Sequence, residues 1–281
     1  MSKLSFSKPL DDPDLRVISL GAGVQSSVLA LMAARRDVGP MPDCAIFSDT
    51  QFEPQYIYDW LDWLETQLPF PIIRVTKGNL KRDTMKGLNS TGQRFAAIPF
   101  FMKDDQNKEA IGRRQCTTEY KIEPVVQEIR KQLGLKPGQQ AKGKFIVEQW
   151  IGISTDEMVR LKINKHKWII NRWPLIEEGM NRHDCLRWME ERQFPTPKKS
   201  SCIGCPFHNN EFWRDMKINH PSEFEEAVEF DRAIRNDARG QNKYEQYLHR
   251  SCKPLEEVDF DNDEDLGQIS FLDECEGMCG V

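Results

Sequence analysis

Short apolar runs, separated by turn residues and amphipathic stretches, set the rhythm of the first half of the chain. RVISL (16–20), CAIF (44–47) and FPIIRVT (70–76) have the length and composition of buried strands. Between them, SVLALMAARR reads as an apolar helix entered through the turn GAGVQS, and PQYIYDWLDWLETQL carries aromatic residues at helical spacing. Strand, helix, strand, helix, strand at this pace predicts a parallel α/β sheet. Residues 78–115 are less regular and read as loops and short helices over the carboxyl edge of that sheet. TTEYKIEPVVQEIRKQLG predicts a helix ending at Gly134, with KPGQQAKGK as the loop after it. FIVEQWIGIS and KWIINRWPLI are two further strands around a short helix at TDEMVRLK. Beyond residue 180 the pattern turns helical, in NRHDCLRWMEERQ, NEFWRDMKINH and PSEFEEAVEFDRAIRND, and the end of the chain is irregular. The expected architecture is an open, mainly parallel, Rossmann-like α/β sheet with helices on both faces over residues 1–177. A C-terminal helical, cysteine-bearing region follows over 178–281.

Composition sharpens this picture without redirecting it. Hydrophobic residues make up 39% and charged residues 30% of the 281, the balance of a soluble globular protein. The start, MSKLSFSKPLDDPD, has no signal-peptide core, and no run approaches the ~20 apolar residues of a membrane span. A cytoplasmic protein with no membrane partner is expected. In a reducing compartment, the 8 cysteines point to metal or thiol chemistry rather than a disulfide framework. The formal net charge of -5 argues against polyanion binding by bulk charge. Its distribution is uneven, however, with basic residues concentrated between Arg113 and Lys199 and acidic ones from Glu256 to Glu276.

The turn SLGAGVQSS lies between a buried strand and a helix. Its glycines let the backbone approach an anion, the helix N-terminus offers N–H groups and a favourable dipole, and Ser26 and Ser27 add hydroxyls. It is neither a lysine-bearing P-loop nor a GxGxxG fingerprint. A tight turn without a ligand is the alternative reading.

This turn resembles the SGGxDS loop of the PP-loop ATP pyrophosphatases and their relatives, the phosphoadenylyl-sulfate (PAPS) reductases. In that alignment Gly21 takes the first serine position, Ala22 and Gly23 the glycines, Gln25 the aspartate and Ser26 the final serine. IFSDTQFEPQYIYDWLD is similar to the DTGxExPxT segment of the reductases, with Asp49, Thr50, Glu53 and Pro54 in place. RRQCTTEYKIEP resembles their arginine, cysteine, lysine and proline segment through Arg114, Cys116, Lys121 and Pro124. GISTDEMVRLK resembles a GIRxDES-like block, keeping Gly152, Asp156, Glu157 and Arg160 but with Ser154 where arginine is common. WPLIEEGMNRHDCLRWMEERQFPTP is similar to a further block of the family, so the likeness spans about residues 16–205 in consistent order. The resemblance implies a nucleotide held by Gly21, Ala22, Gly23, Gln25, Ser26, Ser27, Ser48, Asp49, Thr50 and Gly152. Arg114, Lys121 and Arg160 would neutralise phosphate or sulfate there.

In KKSSCIGCPFH, Cys202 and Cys205 have the two-residue separation used for zinc and for iron–sulfur centres. With Cys116 they resemble the cysteine set of the reductases that carry a [4Fe–4S] cluster, although those have adjacent cysteines at the first site. Zinc and no metal remain open alternatives. A fourth ligand would come from Cys275 or Cys279, or one iron would stay open. Cys279 in the tail DECEGMCGV also faintly resembles the nucleophilic cysteine of the reductases. Cys44 and Cys185 read as core packing, and His208 as an exposed loop histidine.

These resemblances imply an enzyme using ATP and Mg²⁺, adenylating an acceptor and transferring sulfur with an iron–sulfur cluster. The basic stretch makes a nucleic-acid base or backbone a candidate acceptor, and the expected macromolecular partner is a nucleic acid or a sulfur-donor protein. Reduction of PAPS or adenylyl sulfate by a tail cysteine is the rival enzyme reading. A non-catalytic nucleotide sensor with a structural cluster is the rival of a different class, favoured by Gln25 in place of aspartate.

Overall fold

The structure, a computed structural model, describes residues 8–88, 98–103, 109–235 and 244–261. Its centre is a five-stranded parallel sheet in the order β3-β2-β1-β6-β7. The first strands and helices are β1 (Leu15–Leu20), α1 (Val24–Ala34), β2 (Cys44–Asp49), α2 (Gln55–Gln67), β3 (Ile72–Thr76) and α3 (Leu80–Met85). After two short strands, β4 (Phe101–Lys103) and β5 (Glu109–Ile111), come α4 (Glu123–Gln132), β6 (Val147–Ile151) and β7 (Ile169–Arg172). The chain continues with helices α5 (Pro174–Glu177), α6 (Arg182–Glu190), α7 (Asn210–Asn219) and α8 (Pro221–Ile234), and with the short strand β8 (Gln246–Tyr247).

The two-residue period of β1 explains why helices cover both faces. Ile18 and Leu20 join one core with α1, α2 and α6 side chains such as Leu29, Leu61 and Met189, whereas Val17 joins another with Val125 and Ile129 of α4. Both faces being apolar, the strands read as continuous hydrophobic runs, as buried parallel strands do. A third core unites Phe52, Leu80, Phe100 and Tyr120 with Trp213 of α7 and Phe230 of α8. The C-terminal helices therefore share their apolar contacts with segments from the first half of the chain.

Two elements depart from expectation at prolines. The helix predicted over 117–134 instead begins as a π-helical turn, Thr117–Ile122, and becomes regular α4 only from Glu123. Pro124 has no N–H to donate to the Tyr120 carbonyl, and that carbonyl accepts the Ser48 hydroxyl at 2.7 Å instead. The strand expected through residue 176 stops at Arg172, because Pro174 opens α5. The small antiparallel sheet in the order β5-β4-β8 has no counterpart in the sequence pattern.

Candidate functional site

From β1 the chain steps outward through β2 to β3, then returns to place β6 on the other side of β1. Such a switch point opens a crevice beyond the carboxyl ends of the central strands. The segments after β1, β2 and β6 all carry residues expected in the site, and the fold gathers them at this edge. Gly152 shows how closely: a Cβ there would lie 2.6 Å from Ser26 Cα and 2.7 Å from Ser26 N. The end of β6 thus packs directly on the first turn of α1.

α1 starts at Gly23 with no side-chain cap, so its first N–H groups lack the usual partner for a helix start. Ala22, just before it, has φ 60°, a left-handed conformation that costs an alanine energy. Ser26 braces the turn, accepting the Gly21 N–H at 3.2 Å and donating to the Gly23 carbonyl at 3.3 Å. The Ser200 hydroxyl donates to the Gly21 carbonyl and pins the turn from the other side.

Not every serine or amide of the motif faces the crevice. Ser27 accepts the Trp60 indole N–H at 2.9 Å and belongs to the α1–α2 packing. Gln25, wholly buried, donates to Ser154 Oγ at 3.4 Å and Glu157 Oε2 at 3.3 Å, and accepts from Arg182 Nη1 at 2.9 Å. Arg160 pairs with Glu157 in the same cluster. Gln25 therefore ties α1 to the segment after β6 and to α6, and Arg160 braces Glu157 within that segment. Asp49 accepts the Tyr58 hydroxyl at 2.9 Å and the Gln51 N–H at 2.7 Å. Burial and then this carboxylate raise the Tyr58 phenol well above its ordinary value.

Two depressions open at this edge, and Lys121 lines both. One, of about 250 Å³, is bordered by Ser19, Gly21, Phe47, Ser48 and Val125. The other, of about 380 Å³, is bordered by Arg114, Cys116, Cys202, Cys205 and Phe207 among others. Arg114 Nε donates to Thr117 Oγ1 at 3.0 Å, and its guanidinium lies 4.9 Å from the centre of the Phe207 ring. Lys121 Nζ lies 3.8 Å from Glu53 Oε1. That oxygen also accepts from Thr50 Oγ1 at 2.8 Å and from Cys202 Sγ at 3.3 Å, while Glu53 Oε2 is buried without a hydrogen-bond partner. Burying a carboxyl group requires polar partners, and Thr50, Cys202 and Lys121 supply them at this oxygen.

Sequence reasoning undervalued Glu53, whose burial could not be read from its neighbours, and misjudged His208. His208 is 4% exposed, stacked on Phe212 at 3.8 Å between ring centres, with Nε2 3.0 Å from the Cys202 carbonyl. A carbonyl only accepts, so Nε2 carries the proton and Nδ1 faces the Ser201 hydroxyl at 3.4 Å. Burial holds its pKa well below the ordinary value, with Lys199 adding to the effect. Cys44 and Cys185 are core residues, as expected.

The metal expectation is corrected by the geometry. Cys116, Cys202 and Cys205 border one depression, yet among the described residues no group of three or more His, Cys, Asp or Glu side chains could hold a metal ion. The Cys202 sulfur is engaged by oxygen partners, with Thr50 Oγ1 also at 3.3 Å. Cys275 and Cys279 lie outside the described residues. The [4Fe–4S] cluster, the zinc alternative and Mg²⁺ are therefore not supported, nor are the ATP, PAPS and sulfur-transfer chemistry built on them.

Membership of a PAPS reductase-like family is corrected as well. No family model matches the chain, and no curated protein matches it. Among solved structures it is similar to a phosphoadenylyl-sulfate reductase from Candida auris in a phosphate complex. That likeness has 14% identity and a TM-score of 0.44, and covers 68% of this chain and 82% of the other. It is also similar to the U34-tRNA thiolase NcsA from Methanococcus maripaludis with its [4Fe-4S] cluster, at 14% identity and a TM-score of 0.37. Here the cover is 81% of this chain and 74% of the other. At these scores neither likeness bears on activity. Among the described residues no helix is long and apolar enough to cross a membrane.

Proposed function

We propose that this chain handles a nucleotide-type ligand at the carboxyl edge of the five-stranded sheet. The observation that carries the reading is the junction of the uncapped α1 N-terminus with the depression lined by Gly21, Ser48 and Lys121. Backbone N–H groups and a lysine at a switch point favour a phosphate. The left-handed backbone of Ala22 is the kind of local strain that persists where surrounding structure holds a binding turn in place.

In this reading phosphate oxygens face the start of α1 and Lys121. The adjoining depression, with Arg114 and the thiols, receives the remainder of the ligand or a second reactant. The unpartnered Glu53 Oε2 is an acceptor for a ligand donor reaching that far. Turnover would draw on Lys121 and Arg114 to stabilise charge developing on a displaced oxyanion.

Calorimetric titration with purine and pyrimidine mono-, di- and triphosphates, in the presence of a chelator, tests this. The expected result is binding of at least one nucleotide, competed by inorganic pyrophosphate and weakened at least about tenfold by Lys121→Met. Absence of nucleotide and pyrophosphate binding at millimolar concentration would overturn the reading.

A further inference from the structure

The amino-terminal end of β6 and β7, opposite the crevice, carries a second concentration of chemistry. From Ile129 to Val147 and from Met158 to Trp168 the chain has no aspartate or glutamate. Those two segments contain exposed Lys136, Lys142, Lys144, Lys162, Lys165 and Lys167. The fold brings them together. The Val147 N–H donates to the Trp168 carbonyl at 2.9 Å, and Val147 pairs with Ile169 in the sheet. Ala141 and Trp168 are buried in one cluster, against which Phe145 and Leu161 also pack.

Both loops are held in place. Arg130 Nη2 donates to the Gln139 carbonyl at 2.6 Å, fixing the first loop to the end of α4. In the second, Asn164 is 6% exposed and donates to Gln149 Oε1 at 3.2 Å and Asn171 Oδ1 at 3.1 Å. Asn171 in turn donates to the Lys162 carbonyl at 3.0 Å. His166, in the second loop, has its pKa lowered first by burial and then by Lys165 and Arg130. The nearby carboxylates are otherwise engaged: Asp14 accepts the Ile146 N–H at 2.7 Å, and Glu128 pairs with Lys131 at 3.3 Å.

We propose that this face binds the phosphodiester backbone of a nucleic acid without regard to sequence. An ordered array of lysines on segments that contain no aspartate or glutamate suits repeated phosphates, and loops fixed beforehand lose little entropy on binding. Of the residues interleaved with the lysines, Ile146 and Ile163 are exposed and aliphatic, Phe145 is partly buried against the cluster, and Trp168 is buried, so the exposed apolar surface here is mainly aliphatic. The surface has neither a base-reading helix nor the amphipathic helix that would seat it in a lipid interface. It is distinct from the crevice and stands independently of the nucleotide reading.

The test uses the full chain in fluorescence anisotropy with a labelled single-stranded RNA and a labelled DNA duplex across a salt series. Binding should be insensitive to scrambling the sequence and weaken steeply with salt. The variant Lys162→Gln/Lys165→Gln/Lys167→Gln should lower the slope of log K against log salt by about 2–3. Its affinity near ~0.15 M salt should fall at least about tenfold. Its thermal midpoint and its nucleotide titration at the crevice should match wild type. No binding to either probe at low salt, or an unchanged slope in the variant, would overturn the proposal. So would equal binding of polyglutamate or of phosphatidylserine vesicles with the same lysine dependence, which would assign the face to an acidic peptide or a membrane.

Discussion

Replacing Gly152 with alanine should damage this protein far more than the loss of one hydrogen atom suggests. The added Cβ would sit 2.6 Å from Ser26 Cα and 2.7 Å from Ser26 N, both backbone atoms of α1. Reaching an ordinary carbon contact requires a displacement of roughly 1 Å. α1 cannot yield that distance cheaply, because its residues from Val24 to Ala33 are buried. The Trp60–Ser27 and Arg182–Gln25 hydrogen bonds also hold its first turn. The cost should reach the upper end of overpacking, about 3 kcal/mol or more. Gly134→Ala is the control: it has φ +69° but nothing within 4 Å of the new Cβ, so only backbone strain of about 1 kcal/mol applies. Urea unfolding of both variants, read by tryptophan fluorescence, gives the two values. At about 2–4 °C per kcal/mol the thermal midpoints should separate by several degrees. If Gly152→Ala unfolds within about 0.5 kcal/mol of wild type, the close packing of β6 on α1 is wrong.

Other outcomes follow from single sites. His208 is held neutral in the fold while an unfolded histidine titrates near ~6.5, so the unfolded state binds the extra proton below that pH. Stability should fall by up to about 1.4 kcal/mol per pH unit as pH drops below ~6.5, and His208→Gln should flatten that limb; identical acid profiles would refute the assignment. Asp231, 1% exposed, accepts the N–H groups of Leu248 at 2.8 Å and Leu255 at 3.1 Å and pairs with Arg235. Asp231→Ala should cost about 3 kcal/mol in a denaturant titration by stranding these partners, and a loss below about 1 kcal/mol would count against the network. The Cys44 thiol is pushed up to about 12 by burial, with Asp43 and Glu128 adding to it. Peptide mapping after maleimide treatment at mildly alkaline pH should find Cys44 unmodified in the native protein and labelled once it is unfolded. Rapid native labelling would mean that the strand edge opens.

Period and punctuation alone make β1, β2 and β3, α1 and α2 and the helices after residue 180 legible in the amino-acid sequence. Strand and helix periods are local properties of the chain, and the turn GAGVQS announces itself by composition alone. The placement of this turn at the carboxyl edge also follows from the strand–helix alternation. What the turn residues do there is decided elsewhere. Ser27 faces Trp60 and Gln25 faces Ser154, Glu157 and Arg182, because partners distant in sequence arrive from α2, the segment after β6, and α6. Spacing likewise sets Cys202 and Cys205 in one turn, yet a metal site depends on the direction and distance of every donor, and the tertiary arrangement does not provide one among the described residues. His208 gives no local sign of burial; Phe212 and Trp213 enclose it only once α7 docks. Pro124 is visible in sequence, but its consequence is not, since the carbonyl it leaves unpaired is satisfied by Ser48 of β2. Sequence by itself determined the elements and the edge at which they open. Long-range pairing, which no local period encodes, decided which side chains face that edge and which are consumed in holding it together.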